Sequence, residues 1–379
     1  MESDRVLWLF IVFAALGTLS RVFSQSVIQV LNGKEHFHLT AALDVLESVL
    51  NITAVATVVL GDFKITGLLL CLIAKNSLMF IITLGLYFTA HGRLTFYWEP
   101  RRTWQLMGLS LPFVFIGMFN NVYQQVDIIM LRYMTDFNIV GAYGAAYKLL
   151  TFVFLIGATL AGVIFPRLAQ KSEKLDADFF RFFGLASRML AYLGMALTML
   201  CIAAGPMAVR VILGQAFDYG GEIFVVLALA ITINFLALIP TFTLVATESL
   251  WQYAGIYVVS VLMNVLGNYF LIPRLGAIGA AWATNVTELI TVIGIYFYAQ
   301  RRLNVPHVFD SLWRLLRFIS ILILGIALAL SVKEWPLGYS VLTVTVGFAA
   351  LIVGARILCP EDRQWLQLLI AKLNRYNRA

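Results

Sequence analysis

Long apolar runs alternate with short polar breaks along almost the whole chain. A transmembrane helix needs about 20 mostly apolar residues to cross a hydrocarbon core of about 30 Å, and eleven runs of this kind follow one another. They cover residues 6–30, 40–60, 65–89, 105–132, 139–165, 183–204, 222–246, 251–272, 276–299, 313–332 and 337–357. The pattern therefore predicts an all-α, polytopic membrane protein with about 11 transmembrane helices. Pro240, inside the seventh run, is a candidate bending point.

Composition excludes most soluble functions. The 379 residues are 61% hydrophobic and 12% charged, whereas soluble domains are about 45–50% apolar and about 25% charged. The net charge of +7 does not indicate a nucleic-acid partner, because basic residues of a membrane protein usually face the cytoplasm. The three cysteines lie far apart, and no ATP-binding loop is present. We therefore expect no nucleic acid, no metal and no cofactor.

The basic residues indicate an orientation. Seventeen of them lie in the C-terminal tail and in one alternating set of connections, whereas six lie in the opposite set. The positive-inside rule then places the C-terminus in the cytoplasm, which predicts a multi-pass protein of the cytoplasmic (inner) membrane. Eleven crossings leave the N-terminus outside, and we therefore expect either that the chain lacks an odd number of upstream helices or that one of the predicted spans is wrong.

An internal repeat suggests two related halves. Leu50-Asn51-Ile52-Thr53 and the residues up to 88 can be laid over Met263-Asn264-Val265-Leu266 and the residues up to 297, with an offset of about 210 positions. Repeats of this kind are typical of transporters. Six helices per half would leave the first half three helices short. We predict two bundles: an incomplete three-helix bundle at 1–95 and a six-helix bundle at 96–305, followed at 306–379 by two extra helices and a cytoplasmic tail.

Three cations lie well inside predicted spans. A charge there costs about 2.5–3.5 kcal/mol on insertion scales, so it indicates function unless it reaches the interface or finds a partner. Arg21, Lys75 and Lys148 each have two interpretations: they line a cavity for an anionic group, or they reach the interface or pair with an internal carboxylate. Arg188 lies nearer to a span end, and we expect its side chain to reach the interface.

Carboxylates and amides form a second set. Asp127 and Glu288 are either sites for a coupling ion or members of salt bridges, such as one between Asp127 and Lys148. Asn121, Gln124 and Gln125 belong to a polar run at 120–127 that suits sugar hydroxyls or helix packing. We favour cavity lining, because five polar groups in eight residues exceed what packing needs.

Several stretches carry a family resemblance. They are Ser110-Leu111-Pro112, residues 127–131 (DIIML), residues 140–148 (VGAYGAAYK), Phe165-Pro166-Arg167, and Asn264 to Gly279 with Pro273. The first four look like the start of the second half of the polysaccharide flippases in the multidrug/oligosaccharidyl-lipid/polysaccharide exporter superfamily, and the last is similar to that family's eleventh and twelfth helices. Fourteen helices with both ends cytoplasmic are common in the family, so the resemblance implies an N-terminally shortened member.

The resemblance implies a function that is transport rather than catalysis. We expect a flippase that translocates a polyprenyl-diphosphate-linked oligosaccharide by alternating access in polysaccharide biosynthesis, with the lipid bilayer and, as a candidate, a polysaccharide polymerase as further partners. The candidate substrate-binding residues are Arg21, Lys75, Lys148, Asn121, Gln124 and Gln125, and the candidate ion-coupling residues are Asp127 and Glu288.

Alternatives stay open. The first is an exporter of lipid II or of cationic drugs with the same fold. A drug exporter should have an acidic, aromatic cavity, whereas the three cations favour an anion. The second is a membrane-embedded glycosyl- or acyltransferase, which would need a carboxylate or histidine cluster on a long interfacial loop.

Overall fold

The structure, a computed structural model, describes residues 2–33, 36–63, 65–91, 98–172, 174–305 and 312–354. Within these ranges all regular structure is helical, which confirms the all-α prediction. The α-helices are α1 (Glu2–Gly33), α2 (Phe37–Leu60), α3 (Ile65–His91), α4 (Pro100–Met134), α5 (Phe137–Ser172), α6 (Ala177–Leu213), α7 (Asp218–Leu227), α8 (Leu229–Ala246), α9 (Leu250–Leu303), α10 (Leu312–Val332) and α11 (Leu337–Gly354).

Most of these helices have the dimensions of membrane spans. In the described part of the chain, nine helices are long enough and apolar enough to cross a bilayer, namely α2 to α6 and α8 to α11. Large apolar side chains such as Val59, Leu109 and Val163 are at least 70% exposed, as expected where lipid rather than water surrounds the helices. The protein is therefore a multi-pass membrane protein.

The chain forms two compact units, at residues 1–103 and 104–379. In the first unit, α1, α2 and α3 pack around a small core that contains Ile28, Leu31, Leu43 and Met79. In the second unit, the core is larger and is built on fully buried aromatic side chains, including Tyr143, Phe179, Phe183 and Phe235. Each unit thus has a hydrophobic core of its own.

Helix α9 contains the boundary between the eighth and ninth predicted spans. Gly276 has φ 57° and ψ −136°, although the helix is otherwise continuous. This region of backbone conformation is strained for residues that carry a Cβ. The glycine therefore divides α9 into a first arm (250–275) and a second arm (277–303), close to the predicted spans 251–272 and 276–299.

The seventh predicted span, 222–246, is wrong as one uninterrupted helix. Its interruption lies at Ala228, between α7 and α8, whereas Pro240 lies inside α8 without ending it. Thr198 Oγ1 donates to the Ala228 carbonyl over 3.2 Å, and Asn285 Nδ2 donates to the Val226 carbonyl over 2.8 Å. Tertiary hydrogen bonds thus satisfy carbonyls at the break, as a membrane protein requires.

Candidate functional site

A cavity of 540 Å³ lies between α4, α5, α8 and α9 of the second unit. This volume falls in the range of about 300–1,000 Å³ that is usual for small-molecule sites. Many of its lining side chains carry polar groups: Asn120, Tyr123, Gln124, Tyr147, Lys148, Thr151, Asn234, Tyr257 and Glu288. Phenylalanine, leucine and alanine side chains, mostly from α5, complete the wall. The cavity is thus amphipathic and lies among membrane-spanning helices.

Lys148 supplies a positive charge to this cavity. It lies about three turns from the start of α5 and is exposed. Within the described residues, its ammonium group makes no hydrogen bond or ion pair. A charge that stays unpaired among apolar helices is costly unless water or a ligand reaches it. Lys148 is therefore available to an anionic group that enters the cavity.

Glu288 supplies a negative charge to the same cavity. It belongs to the second arm of α9 and is 7% exposed, and it accepts a hydrogen bond from the Tyr123 hydroxyl over 3.2 Å. Tyr147 and Tyr257 also line the cavity. The cavity therefore offers a cation, a carboxylate and aromatic rings together with amide groups.

Asp127 lies in a second polar cluster of the same unit, formed by α4, α5 and α9. Its Oδ2 accepts hydrogen bonds from the Tyr143 hydroxyl (2.5 Å) and from Thr284 Oγ1 (2.7 Å). Its Oδ1 accepts one from Asn268 Nδ2 (2.6 Å), which also donates to Asn264 Oδ1 (2.9 Å). The salt bridge considered between Asp127 and Lys148 is therefore wrong, because neutral donors occupy the carboxylate.

This cluster has polar atoms without partners. Asn268 Oδ1 and Asn264 Nδ2 are buried and make no hydrogen bond, although buried polar groups are nearly always bonded. The oxygen atoms of a carboxylate, two amides and a hydroxyl are hard ligands that suit alkali or alkaline-earth cations. A single carboxylate matches a monovalent cation best.

The other residues predicted on α4 divide between the cavity and the surface. Gln124 lines the cavity. Asn121 and Gln125 are exposed and do not line it, and Asn121 Nδ2 donates to the Gly117 carbonyl of its own helix over 2.8 Å. The polar run therefore presents only part of its side chains to the cavity.

The two cations predicted in the first unit differ in their surroundings. Arg21 is exposed on α1. Lys75, on α3, is buried, and its ammonium donates to Asn51 Oδ1 over 2.9 Å and to Glu47 Oε1 over 3.3 Å. For Lys75, the structure therefore shows pairing with an internal carboxylate.

The expectation that Arg188 reaches the interface is wrong. The side chain is 4% exposed, because α6 begins at Ala177 and places Arg188 about three turns inside the helix. Its guanidinium lies beside Gly184, one turn earlier, where the missing side chain leaves room.

Several residues of both clusters were not predicted from the sequence. They are Tyr123, Tyr147, Asn234 and Tyr257 in the cavity, and Tyr143, Asn264, Asn268 and Thr284 around Asp127. Two pairs could have been recognised from their spacing in the sequence. Tyr143 and Tyr147, like Asn264 and Asn268, are four residues apart and therefore share a helix face.

Comparisons with known proteins bear on the fold and on the first 172 residues of the chain. Residues 1–172 match the family of polysaccharide biosynthesis proteins. The solved structure of the lipid II flippase MurJ, in an inward closed conformation, is similar with a TM-score of 0.70 and 12% sequence identity, over 92% of this chain and 72% of that one. No curated protein gives a significant match. Residues 1–172 thus resemble the polysaccharide biosynthesis proteins, and the chain shares its fold with a lipid II flippase.

Proposed function

We propose that this protein is a flippase that moves a polyprenyl-diphosphate-linked oligosaccharide to the outer leaflet of the cytoplasmic membrane, by alternating access and in polysaccharide biosynthesis. It acts as a transporter rather than as a catalyst, and its C-terminus faces the cytoplasm. The observation that carries the proposal is the unpaired Lys148 in a polar cavity between membrane-spanning helices. A polysaccharide polymerase, which would consume the translocated unit, is a further proposed partner.

The cavity suits both parts of such a headgroup. A diphosphate needs a fixed cation, because its charge is costly in a low-dielectric environment, and Lys148 can pair with it transiently. Sugar hydroxyls both donate and accept hydrogen bonds, and the amides of Asn120, Gln124 and Asn234 can satisfy both kinds.

We further propose that transport is coupled to a cation. The cluster around Asp127 offers hard oxygen ligands and an unsatisfied Asn268 Oδ1, and it would hold a monovalent cation such as Na⁺. Glu288, in the cavity itself, is the second candidate and would carry a proton. Carboxylates inside a membrane commonly serve as such sites.

Two alternatives each have a supporting observation. Lipid II is favoured by the lipid II flippase that shares the fold, and its diphosphate would use the same lysine. Export of a cationic drug is favoured by Glu288 and the three tyrosines in the cavity. Because Lys75 is paired and Arg21 lies in the other unit, the case for an anion in this cavity depends on Lys148 alone.

Complementation tests the proposal. In a strain that lacks its polysaccharide flippase, the wild-type chain should restore surface polysaccharide, whereas Lys148→Ala should reduce the output at least about tenfold, the effect of losing roughly 1.4 kcal/mol. Lys148→Arg should retain most of it. Lys174→Ala, in the polar connection before α6, is the matched control for loss of one positive charge.

The same variants separate the alternatives. Membrane levels are measured by immunoblot, so that lost output is not confused with lost protein. Unchanged polysaccharide in the Lys148→Ala strain would remove the lysine from the site. Rescue of cells depleted of their lipid II flippase, or resistance to ethidium, in place of restored polysaccharide would replace the proposal by the corresponding alternative.

A further inference from the structure

A second cavity, of 560 Å³, lies in the second unit away from the site described above. Its charged lining residues are Arg210, Asp218, Glu222, Lys333 and Glu334, and Trp335 is beside them. The proposed transport mechanism uses none of these residues. The volume again lies in the range of about 300–1,000 Å³ that is usual for small-molecule sites.

This cavity lies at the ends of helices that begin on the basic side. Helix α6 begins after the basic stretch 167–174, and it ends near Arg210, which lines the cavity. Helix α10 likewise begins near the basic residues 301–317, and its end leads to Lys333. Both helices should cross the membrane outward if the basic side is cytoplasmic. The cavity then opens on the face where a translocated headgroup emerges.

Hydrogen bonds fix the backbone of Trp335 at this cavity. Ser340, which is fully buried, donates from Oγ to the carbonyls of Val332 (2.7 Å) and Trp335 (3.2 Å). The backbone N–H of Trp335 donates to the same Val332 carbonyl over 3.0 Å. The indole nevertheless stays 52% exposed. An accessible tryptophan side chain, with only two rotatable bonds on a fixed backbone, loses little entropy when a ligand stacks on it.

The charges of the cavity are mixed and weakly paired. Arg210 Nε and Asp218 Oδ1 are 3.8 Å apart, and both side chains are 54% exposed, so the contact is weak. Glu222, Lys333 and Glu334 form no ion pair with other described residues. Two cations and three carboxylates do not suit a polyanion such as a diphosphate. Sugars suit them, because hydroxyls donate to carboxylates and accept from guanidinium and ammonium groups.

We infer that this cavity binds uncharged or amino-bearing sugar residues of the transported oligosaccharide at the outer face, with one sugar ring stacked on Trp335. The inference rests on the proposed function, which it extends by a second, exit-side contact for the glycan. Binding there would keep the headgroup from returning to the membrane cavity.

Fluorine NMR of Trp335 tests this site directly. The full chain is labelled with 5-fluorotryptophan and placed in lipid nanodiscs, and the Trp335 signal is assigned by its loss in Trp335→Phe. The probe is the oligosaccharide repeat unit released without lipid from the surface polysaccharide of the source strain. We expect the Trp335 signal to shift with saturation, and Glu222→Ala to weaken binding about tenfold, as loss of a charged hydrogen bond would.

Controls make each outcome decisive. Lys174→Ala, which lines neither cavity, should leave the titration unchanged, and the signal of Trp104, which is 70% exposed and does not line the cavity, should not move. The inference is overturned by an unmoved Trp335 signal, by an equal shift with inorganic pyrophosphate, or by unchanged affinity in Glu222→Ala.

Polysaccharide restoration by the same chains keeps the two proposals apart. Restored polysaccharide with no response at Trp335 refutes the outer site alone. A response at Trp335 in a wild-type chain that restores no polysaccharide refutes the flippase proposal alone.

Discussion

The carboxylate of Asp127 has three hydrogen-bond donors and no cation among its described neighbours. Tyr143, Asn268 and Thr284 hold it from two other helices, so its position is fixed before any ligand arrives. A negative charge held in this way inside a membrane protein is expected to recruit a cation. The neutral amide of Asp127→Asn keeps the shape of the side chain and removes that attraction.

We therefore expect Na⁺ to stabilise the wild-type protein and not Asp127→Asn. A bound ion stabilises the folded state by about 2.7 kcal/mol at 100 times its dissociation constant. The measurement is the unfolding temperature in nanodiscs, in sodium chloride and in choline chloride at equal ionic strength. Glu288→Gln is the control and should keep the sodium effect. Equal unfolding temperatures of the wild type in both salts would contradict a sodium site.

The charged residues of the sites were easier to predict from the sequence than the neutral ones. Lys148 and Glu288 stood out because a charge in an apolar run has few explanations. Tyr123, Tyr147 and Tyr257 did not, since a tyrosine in a membrane helix is commonplace at the interface. For Lys75 the charge was recognised but its pairing could not be predicted, because its partner Glu47 is 28 positions away and only packing brings the two together.

Helix α9 depends on one backbone conformation at Gly276. The Cβ of an alanine at position 276 would meet no atom within 4 Å, yet the residue would have to adopt φ 57°. We expect Gly276→Ala to lower the free energy of unfolding by about 1–3 kcal/mol. Gly255→Ala is the matched control, because its added methyl group also meets no atom within 4 Å and its backbone is helical, so the change should be neutral or slightly stabilising.

Chemical unfolding of both variants in mixed micelles measures the difference. Similar stability of Gly276→Ala and Gly255→Ala would show that the turn between the arms tolerates a side chain, and the backbone argument would then fail. A loss of polysaccharide output in Gly276→Ala at normal stability would instead assign the turn a role in transport.

The helices were largely predictable and their interruptions were not. A membrane span can be predicted from a local stretch of sequence, because about 20 consecutive apolar residues suffice to define it. The break at Ala228 has no glycine or proline at its centre, and it depends on Thr198 and Asn285, which lie 30 and 59 positions from the carbonyls they bind. The local sequence pattern favoured Pro240 as the bending point instead, because hydrogen-bond donors so distant along the chain cannot be predicted from it.

The two stretches of the predicted internal repeat each form a pair of helices in the structure. Residues 50–88 form part of α2 and α3, and residues 263–297 form part of the two arms of α9. The matching asparagines, Asn51 and Asn264, both take part in polar contacts, one with Lys75 and the other with Asn268. In each unit the matching asparagine thus lies in a polar cluster around a charged group, which is the Lys75 ammonium in the first unit and the Asp127 carboxylate in the second.

The orientation of the molecule decides whether the second cavity can act after translocation. Lys333 lies beyond α10 at that cavity, and Arg181 lies near the start of α6. In a chain whose native cysteines are replaced by alanine, a membrane-impermeant maleimide should label Lys333→Cys in intact spheroplasts. It should label Arg181→Cys only after permeabilisation, because the seventeen basic residues predict that this side faces the cytoplasm. The reverse pattern would place the cavity at the cytoplasmic face, where its sugar-binding groups would meet the substrate before transport rather than after it.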